Sequence, residues 1–298
     1  MQVRGAIYGL TAAAIWGGMY VVSEKVLLVI PAFTLLTIRL LIGIVILGLM
    51  VSKRATLPRR DVIRLLGVGI VGFGISVGMQ FVGTHDASAL NGSVVTSASP
   101  AFILFFAWLI LHESLTPIRV LSVGLATIGV LVILDLSHFD LSSRTFVGNL
   151  ELTVAALTWG LYSVLVRKVS ARHETTLLTF YALIGGLIIT IPASALELST
   201  TTVDLNAITP AIVAGILYLG VISTALAMVL WNRAFALVEA SVASLFFFAQ
   251  PLVGVLLSTT LLNHPLTPPL IIGGILIILG VLLSMQRAAS PEPLREAQ

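Results

Sequence analysis

Long apolar stretches follow one another along almost the whole chain, parted by short polar connections, and this succession constrains the fold more than any other feature. A bilayer's hydrocarbon layer is about 30 Å thick and takes on the order of 20 apolar residues as a helix. Ten such stretches fall at residues 5–23, 33–51, 64–84, 89–111, 118–135, 147–166, 176–196, 210–230, 240–262 and 270–285. In lipid a backbone must satisfy its own N–H and C=O groups, so each stretch reads as a helix and the chain as an all-α membrane protein with ten transmembrane helices. Only 10% of the 298 residues are charged, where a soluble domain carries about a quarter. The longest connections, near 137–144 and 199–207, are too short for a folded module, so no soluble catalytic domain is expected.

The first stretch carries Trp16 and Tyr20 straight toward the second without a clear cleavage site, which predicts a retained helix rather than a signal peptide. Lys and Arg in short loops set orientation. Ten spans put both termini on one side together with 13 of the 16 basic residues, among them Arg4, Arg59, Arg60, Arg64, Arg119 and Lys168, and leave only Lys25 and Arg144 opposite. Both termini are therefore expected in the cytoplasm, in a bacterial-type inner membrane. The pI near 9.5 reflects basic residues spread over membrane-flanking loops, where anionic lipid headgroups are the natural partners and nucleic acid is not. With no cysteine and no metal-binding histidine spacing, no metal or other cofactor is expected. A phosphate-cradling glycine loop is also missing, which excludes ATP drive by this chain. The polar tail 288–298 is expected to be disordered and cytoplasmic. Oligomeric state has no signal in the sequence.

The chain repeats itself. Thr11 to Tyr20 resembles Val154 to Tyr162, with Trp16-Gly17 on Trp159-Gly160. Further on, Ala89 to Pro100 aligns with Ala240 to Pro251, Leu115-Thr116-Pro117 with Leu266-Thr267-Pro268, and Gly129-Val130-Leu131 with Gly280-Val281-Leu282. The units are 1–140 and 141–287. Five spans per unit is an odd number, so the second copy enters the membrane from the opposite side, as an inverted-topology repeat. Such repeats offer a route to alternating access about a site near the bilayer midplane.

The Ala-rich Trp-Gly motif opening each unit, Arg39 in the second span, the steps Ser99-Pro100 and Gln250-Pro251, and the turn His112-Glu113-Ser114-Leu115-Thr116 resemble the drug/metabolite transporter superfamily in its ten-helix EamA-type branch. Asn263-His264 departs from the Gly-Glu turn often repeated in that branch's second half, as does His112 in the first. The resemblance covers residues 5–285. It implies export of small metabolites such as amino acids through a central cavity lined by spans 1, 3, 4, 6, 8 and 9; aromatic amino-acid exporters are most similar.

Intramembrane polar groups are site candidates because lipid cannot solvate them. These are Gln80 beside Met79 in span three, Asn91, Ser97 and Ser99 in span four, Tyr218 in span eight and Gln250 in span nine. Trp16 and Tyr20 lie one turn apart, as do Trp159 and Tyr162; either cavity lining or helix packing explains each pair. Of the run Phe246-Phe247-Phe248 at most one or two rings can face a ligand, and Phe246 is taken as the candidate. Trp231 and Trp108 read as an interfacial belt. Pro100 and Pro251, each expected to free a carbonyl in mid-span, are candidate hinges. The glycines of span three, including Gly67 and Gly69, are expected to pack helices closely. Arg39 is expected to snorkel outward toward Glu24 or Asp86 rather than to meet a substrate. No carboxylate or histidine sits at the centre of a span, which predicts facilitated movement of a small molecule without proton exchange. A proton-coupled drug or nucleoside exporter and a channel-like pore are the alternatives.

Overall fold

The structure, a computed structural model, describes residues 2–51, 57–134, 143–170, 174–262 and 268–287. Every regular element among the described residues is helical. The helices are α1 (Gln2–Leu27), α2 (Ala32–Met50), α3 (Arg59–Asp86), α4 (Ala89–Leu111), α5 (Pro117–Leu134), α6 (Arg144–Ser170), α7 (Thr175–Thr200), α8 (Pro210–Leu237), α9 (Ala240–Ala243 continuing through Ser244–Phe248 and Ala249–Leu261) and α10 (Pro268–Arg287). Eight are long and apolar enough to cross a membrane; within α5 and α10 the apolar helices Pro117–Gly129 and Ile271–Gly280 are shorter.

Several helices outrun their apolar stretches. α3 begins at Arg59 rather than at 64, and α8 ends at Leu237 rather than at 230. A helix already hydrogen-bonded through the hydrocarbon layer continues into the headgroup region, where charged residues are tolerated. α7 likewise reaches Thr200, and a 3-10 turn at Leu205–Ala207 takes up the end of the loop expected at 199–207. The tail 288–298, and all but the last two residues of the connection near 137–144, lie outside the described residues.

The packing partners exchange between halves. α1 packs on α8 and α9, and α6 on α3 and α4; α2 meets α8 while α7 meets α3; α2 also pairs with α7, and α5 with α10. This set of contacts is unchanged when the first five helices are swapped with the last five. The Trp-Gly step explains two close, repeat-related approaches. A Cβ on Gly17 would lie 2.8 Å from Val253 Cβ and 2.9 Å from Gly254 N, and one on Gly160 would lie 2.7 Å from Phe102 Cβ and 3.0 Å from Ile103 N. In the alignment that places Ala89 on Ala240, Phe102 and Ile103 fall on Val253 and Gly254. Only a residue without a side chain allows these backbones to touch. Breaks in the α-helical pattern also recur: π-helical turns at Ile70–Ser76 in α3 and Tyr218–Leu226 in α8, and 3-10 turns at Thr96–Ala98 in α4 and Ser244–Phe248 in α9.

One place departs from this symmetry. A cleft of about 1130 Å³, open to solvent, separates the first turns of α3, at Asp61, Arg64, Gly67 and Val68, from the last turns of α6, at Leu165, Lys168 and Val169. Gly67 has no atom within 4 Å of where a Cβ would be, against the close packing expected of it, whereas a Cβ on Gly69 would strike the Ala182 carbonyl. The corresponding contact between α8 and α1 is filled. There Tyr218, which aligns with Gly67, donates to the Ile15 carbonyl at 2.8 Å, and Gly215 packs against Val26 and Val22.

Candidate functional site

Seven helices line a cavity of about 350 Å³. One wall is aromatic and sulfur-bearing: Trp16 and Met19 from α1, Trp159 from α6, Met228 from α8 and Phe247 from α9. Other lining groups are polar: Ser76 and Gln80 from α3, Thr96 and Ser99 from α4, and Gln250 from α9. Arg39 of α2 supplies the one charge on the lining.

The repeat-related Trp16 and Trp159 meet edge to face, ring centroids 5.3 Å apart at 88°. Phe247 lies 6.0 Å from Trp16 and 5.4 Å from Trp231, and Trp231 lies 5.2 Å from Trp16. Offset and edge-on contacts of this kind favour a rigid cluster. Trp231 is fully buried in it, which corrects the expected interfacial position. Its place in the sequence, close to Arg233 and the helix end, reads as interface only while α8 is taken to stop at 230. Trp108 is about half exposed, as a lipid-facing or interfacial ring would be. The Trp16 indole N–H donates to the Ser223 carbonyl at 3.0 Å, inside the π-helical turn of α8. The indole N–H groups of Trp159 and Trp231 are buried with no acceptor among the described residues.

A hydrogen-bonded network joins four helices on the polar side. Tyr20 Oη and Thr96 Oγ1 are 2.6 Å apart, the Gln80 amide donates to Tyr20 Oη, and the Gln250 amide donates to Thr96 Oγ1 at 2.9 Å and to Tyr20 Oη at 3.3 Å. Thr96 belongs to the 3-10 turn of α4, and Ser99 closes that turn by donating to the Thr96 carbonyl at 2.6 Å. Both glutamine amide nitrogens are thus committed to the protein.

Arg39 overturns the expectation of outward snorkelling. It is 1% exposed and turns inward, donating from Nε to Thr224 Oγ1 at 2.7 Å, from Nη2 to Ser223 Oγ at 3.3 Å and from Nη1 to Met19 Sδ at 3.4 Å. Its guanidinium carbon lies 5.0 Å from the centre of the Phe81 ring. The acidic groups proposed as its braces serve elsewhere: Glu24 accepts from the Ala89 N–H at the start of α4, and Asp86 pairs with Arg144 at 2.7 Å. Counting turns from the end of α2 gives depth, but the direction of a side chain follows from which face of the helix meets α8. Thr224 presents its hydroxyl because the π-helical turn places it over the Leu219 carbonyl, five residues back, to which it donates at 2.7 Å.

The structure brings Trp16, Gln80, Ser99, Trp159 and Gln250 onto the cavity wall. Tyr20 stands behind the wall in the network, and Tyr162 behind Trp159, 4.9 Å from it, with Asn232 beside its hydroxyl. The other candidates lie away from the lining. Met79 neighbours Gln80 but is only half-buried, on a different face of α3. Asn91 links α4 to α6 through Asn149 at 3.0 Å. Ser97 is buried within the 3-10 turn, Tyr218 is held on the Ile15 carbonyl, and Phe246 packs against Gly9. Phe247 takes the lining place assigned to Phe246, because a 3-10 turn advances about 120° per residue and rotates the run. Pro100 and Pro251 also differ from expectation. Each falls in the first turn of a new α-helical segment just after a 3-10 turn, where a missing N–H breaks no helical bond.

Comparison with known proteins places this architecture. The sequence profile of the EamA-like transporter family matches residues 3–135 and again 147–286. An uncharacterized transporter of Archaeoglobus fulgidus is 26% identical over 274 residues, which span 91% of this chain and 95% of that protein. The uncharacterized transporter YyaM of Bacillus subtilis is 27% identical over 227 residues, 75% of this chain and 73% of that one. A solved crystal structure at 20% identity shares the fold with a TM-score of 0.74, covering 97% of this chain and all of the other. With its helices, its internal cavity and its profile match agreeing, the chain belongs to the EamA-like transporter family of the drug/metabolite transporter superfamily, and it is a multi-pass membrane transporter of small molecules rather than an enzyme.

Proposed function

We propose that the protein exports small metabolites, foremost amino acids with aromatic or other hydrophobic side chains, across a bacterial-type inner membrane by alternating access through this cavity. The observation that carries the reading is that one cavity is lined both by an aromatic cluster and by a hydrogen-bonded polar network. An apolar body packs on Trp16, Trp159 and Phe247, while the ammonium of an amino acid meets the acceptor oxygens of Gln80, Gln250 and Ser99. Ten spans with cytoplasmic termini, arranged as inverted repeats 1–140 and 141–287, account for the exchange of packing partners, for the recurring π and 3-10 turns, and for Arg64 and Lys168 sharing one end of the bundle. In that topology the cleft between α3 and α6 opens on the cytoplasmic side. The matching α1–α8 contact, on the outer side, is packed. The test is counterflow in proteoliposomes loaded with unlabelled amino acids. Saturable entry of labelled Phe or Trp, blocked by other aromatic amino acids, is expected; entry proportional to concentration without saturation would indicate a pore instead.

Facilitated movement follows from the lining, which holds no carboxylate and no imidazole. One observation favours proton coupling as a second reading. Glu151 has a buried carboxylate oxygen without a partner and lies one turn before Ala155, which lines the cavity. A facilitator runs at the same rate with and without an imposed proton gradient, and Glu151→Gln leaves that unchanged. Acceleration by the gradient that disappears in Glu151→Gln would transfer the assignment to proton exchange.

A further inference from the structure

Arg39 is a fixed positive charge shut inside the bundle without a fixed negative one. No carboxylate lies within ion-pairing distance of it among the described residues, and each group it does meet is neutral. Its guanidinium has five N–H donors. Three are directed at Thr224, Ser223 and Met19, which leaves two without an acceptor among the described residues. A buried cation in that condition is strongly disfavoured, and an arginine cannot escape by losing its proton. The same side chain lines the cavity. Were Arg39 needed only to join α2 to α8, a neutral side chain of similar length would do so without the penalty of burying a charge.

We propose that Arg39 is the anchor for a carboxylate on the transported molecule, so that cargo is carried as the acid and the corresponding amine or amide is refused. The inference rests on the reading above that this cavity is the substrate site. Two parallel N–H groups match the two oxygens of a carboxylate, a geometry Lys does not reproduce. Phe81 under the guanidinium, with Thr224 on Nε, fixes the plane of the fork before any ligand arrives. Met19, which lines the same cavity as Trp16, touches the guanidinium one turn of α1 from that ring. A carboxylate held on Arg39 therefore has an apolar surface beside it for the rest of the molecule. Arg39 lies on α2 and is bound to α8, whose π-helical turn supplies both of its hydroxyl partners.

The experiment follows the thermal midpoint of the purified full-length protein in detergent against four probes: L-phenylalanine, 3-phenylpropionate, L-phenylalaninamide and phenethylamine. Wild type, Arg39→Lys and Arg39→Met are compared. The two acids are expected to raise the wild-type midpoint and the amide and amine to leave it alone. Arg39→Met is expected to be at least as stable as wild type without ligand, since it loses an unpaired charge, and to respond to acid and amine alike. Arg39→Lys is expected to weaken the acids at least tenfold. Equal binding of acid and amine by wild type, no response to either acid, or an acid preference that survives in Arg39→Met would each overturn the proposal. Should Arg39→Met not fold, the wild-type comparison of acid with amine still decides. The amino-acid reading fails separately, if 3-phenylpropionate binds through Arg39 while phenylalanine neither binds nor enters by counterflow.

Discussion

Gly160 and Gly67 differ only in their neighbours, and so make a matched pair for testing what a single Cβ does in this bundle. At Gly160 the added atom meets Phe102 and Ile103 inside normal contact distance; at Gly67 it meets nothing. Gly160→Ala is expected to cost about 1–3 kcal/mol and lower the thermal midpoint by several degrees, as overpacking does. Gly67→Ala is expected to be neutral or to stabilise by up to about 1 kcal/mol through helix propensity. Thermal unfolding of the two purified variants checks both signs. Single residues were read from the sequence with uneven success, and the reason is directional. Trp16, Trp159, Gln80 and Gln250 announce themselves because a large ring or an amide in an apolar stretch must find a partner somewhere. Arg39 announces itself equally, yet its inward direction depends on a hydroxyl that only the π-helical turn of α8 presents. The Phe246 and Phe247 exchange has the same origin, since a 3-10 turn spoils the 100° step on which helical faces are counted.

The helices themselves were plain in the sequence, because the bilayer allows almost nothing else; their ends and their internal breaks were not. Apolar content stops at the first charge, whereas the helix stops where its terminal groups find partners. α2 illustrates this. Its first N–H groups lie beyond Pro31 and are closed by Glu197 from the far end of α7, which accepts from Phe33 N at 2.9 Å, Thr34 N at 2.8 Å and Thr34 Oγ1 at 3.0 Å. Glu24 does the same for α4 at Ala89, and Glu113 for α9 at Ala240. A carboxylate on helix-start N–H groups works with the helix dipole as well as with the hydrogen bonds. Glu197→Ala is expected to destabilise by about 1–2 kcal/mol, and Glu197→Gln by less, since the amide oxygen still accepts. Chemical denaturation in mixed micelles measures the difference. These caps join residues more than 60 positions apart, so no local pattern could reveal them.

At the scale of the molecule, the exchange of packing partners follows the Trp-Gly and Ala-to-Pro segments that align in the sequence, whereas nothing in them marks the place where the two sets of contacts differ. That place is the cleft at Gly67, whose counterpart Tyr218 plugs the other side. The protein has no cysteine, so an introduced thiol stands alone. With cytoplasmic termini, a thiol at Gly67→Cys is expected to react with a membrane-impermeant maleimide added from the cytoplasmic side of inverted vesicles and to stay unlabelled in intact cells. One at Gly215→Cys, packed on Val22 and Val26, is expected to react slowly from either side. Labelling followed by mass shift on a gel reads both; rapid labelling of Gly215→Cys with Gly67→Cys protected would place the opening on the other face.

The exchanged packing also bears on how the molecule is made. α1 leaves the ribosome well before α9, which carries the backbone at Val253 and Gly254 against which Gly17 fits. The backbone that Gly17 meets in the finished fold is therefore absent when α1 enters the bilayer. The cavity takes Met228 from α8 and Phe247 and Gln250 from α9, so its lining is complete only once those helices have joined the earlier ones.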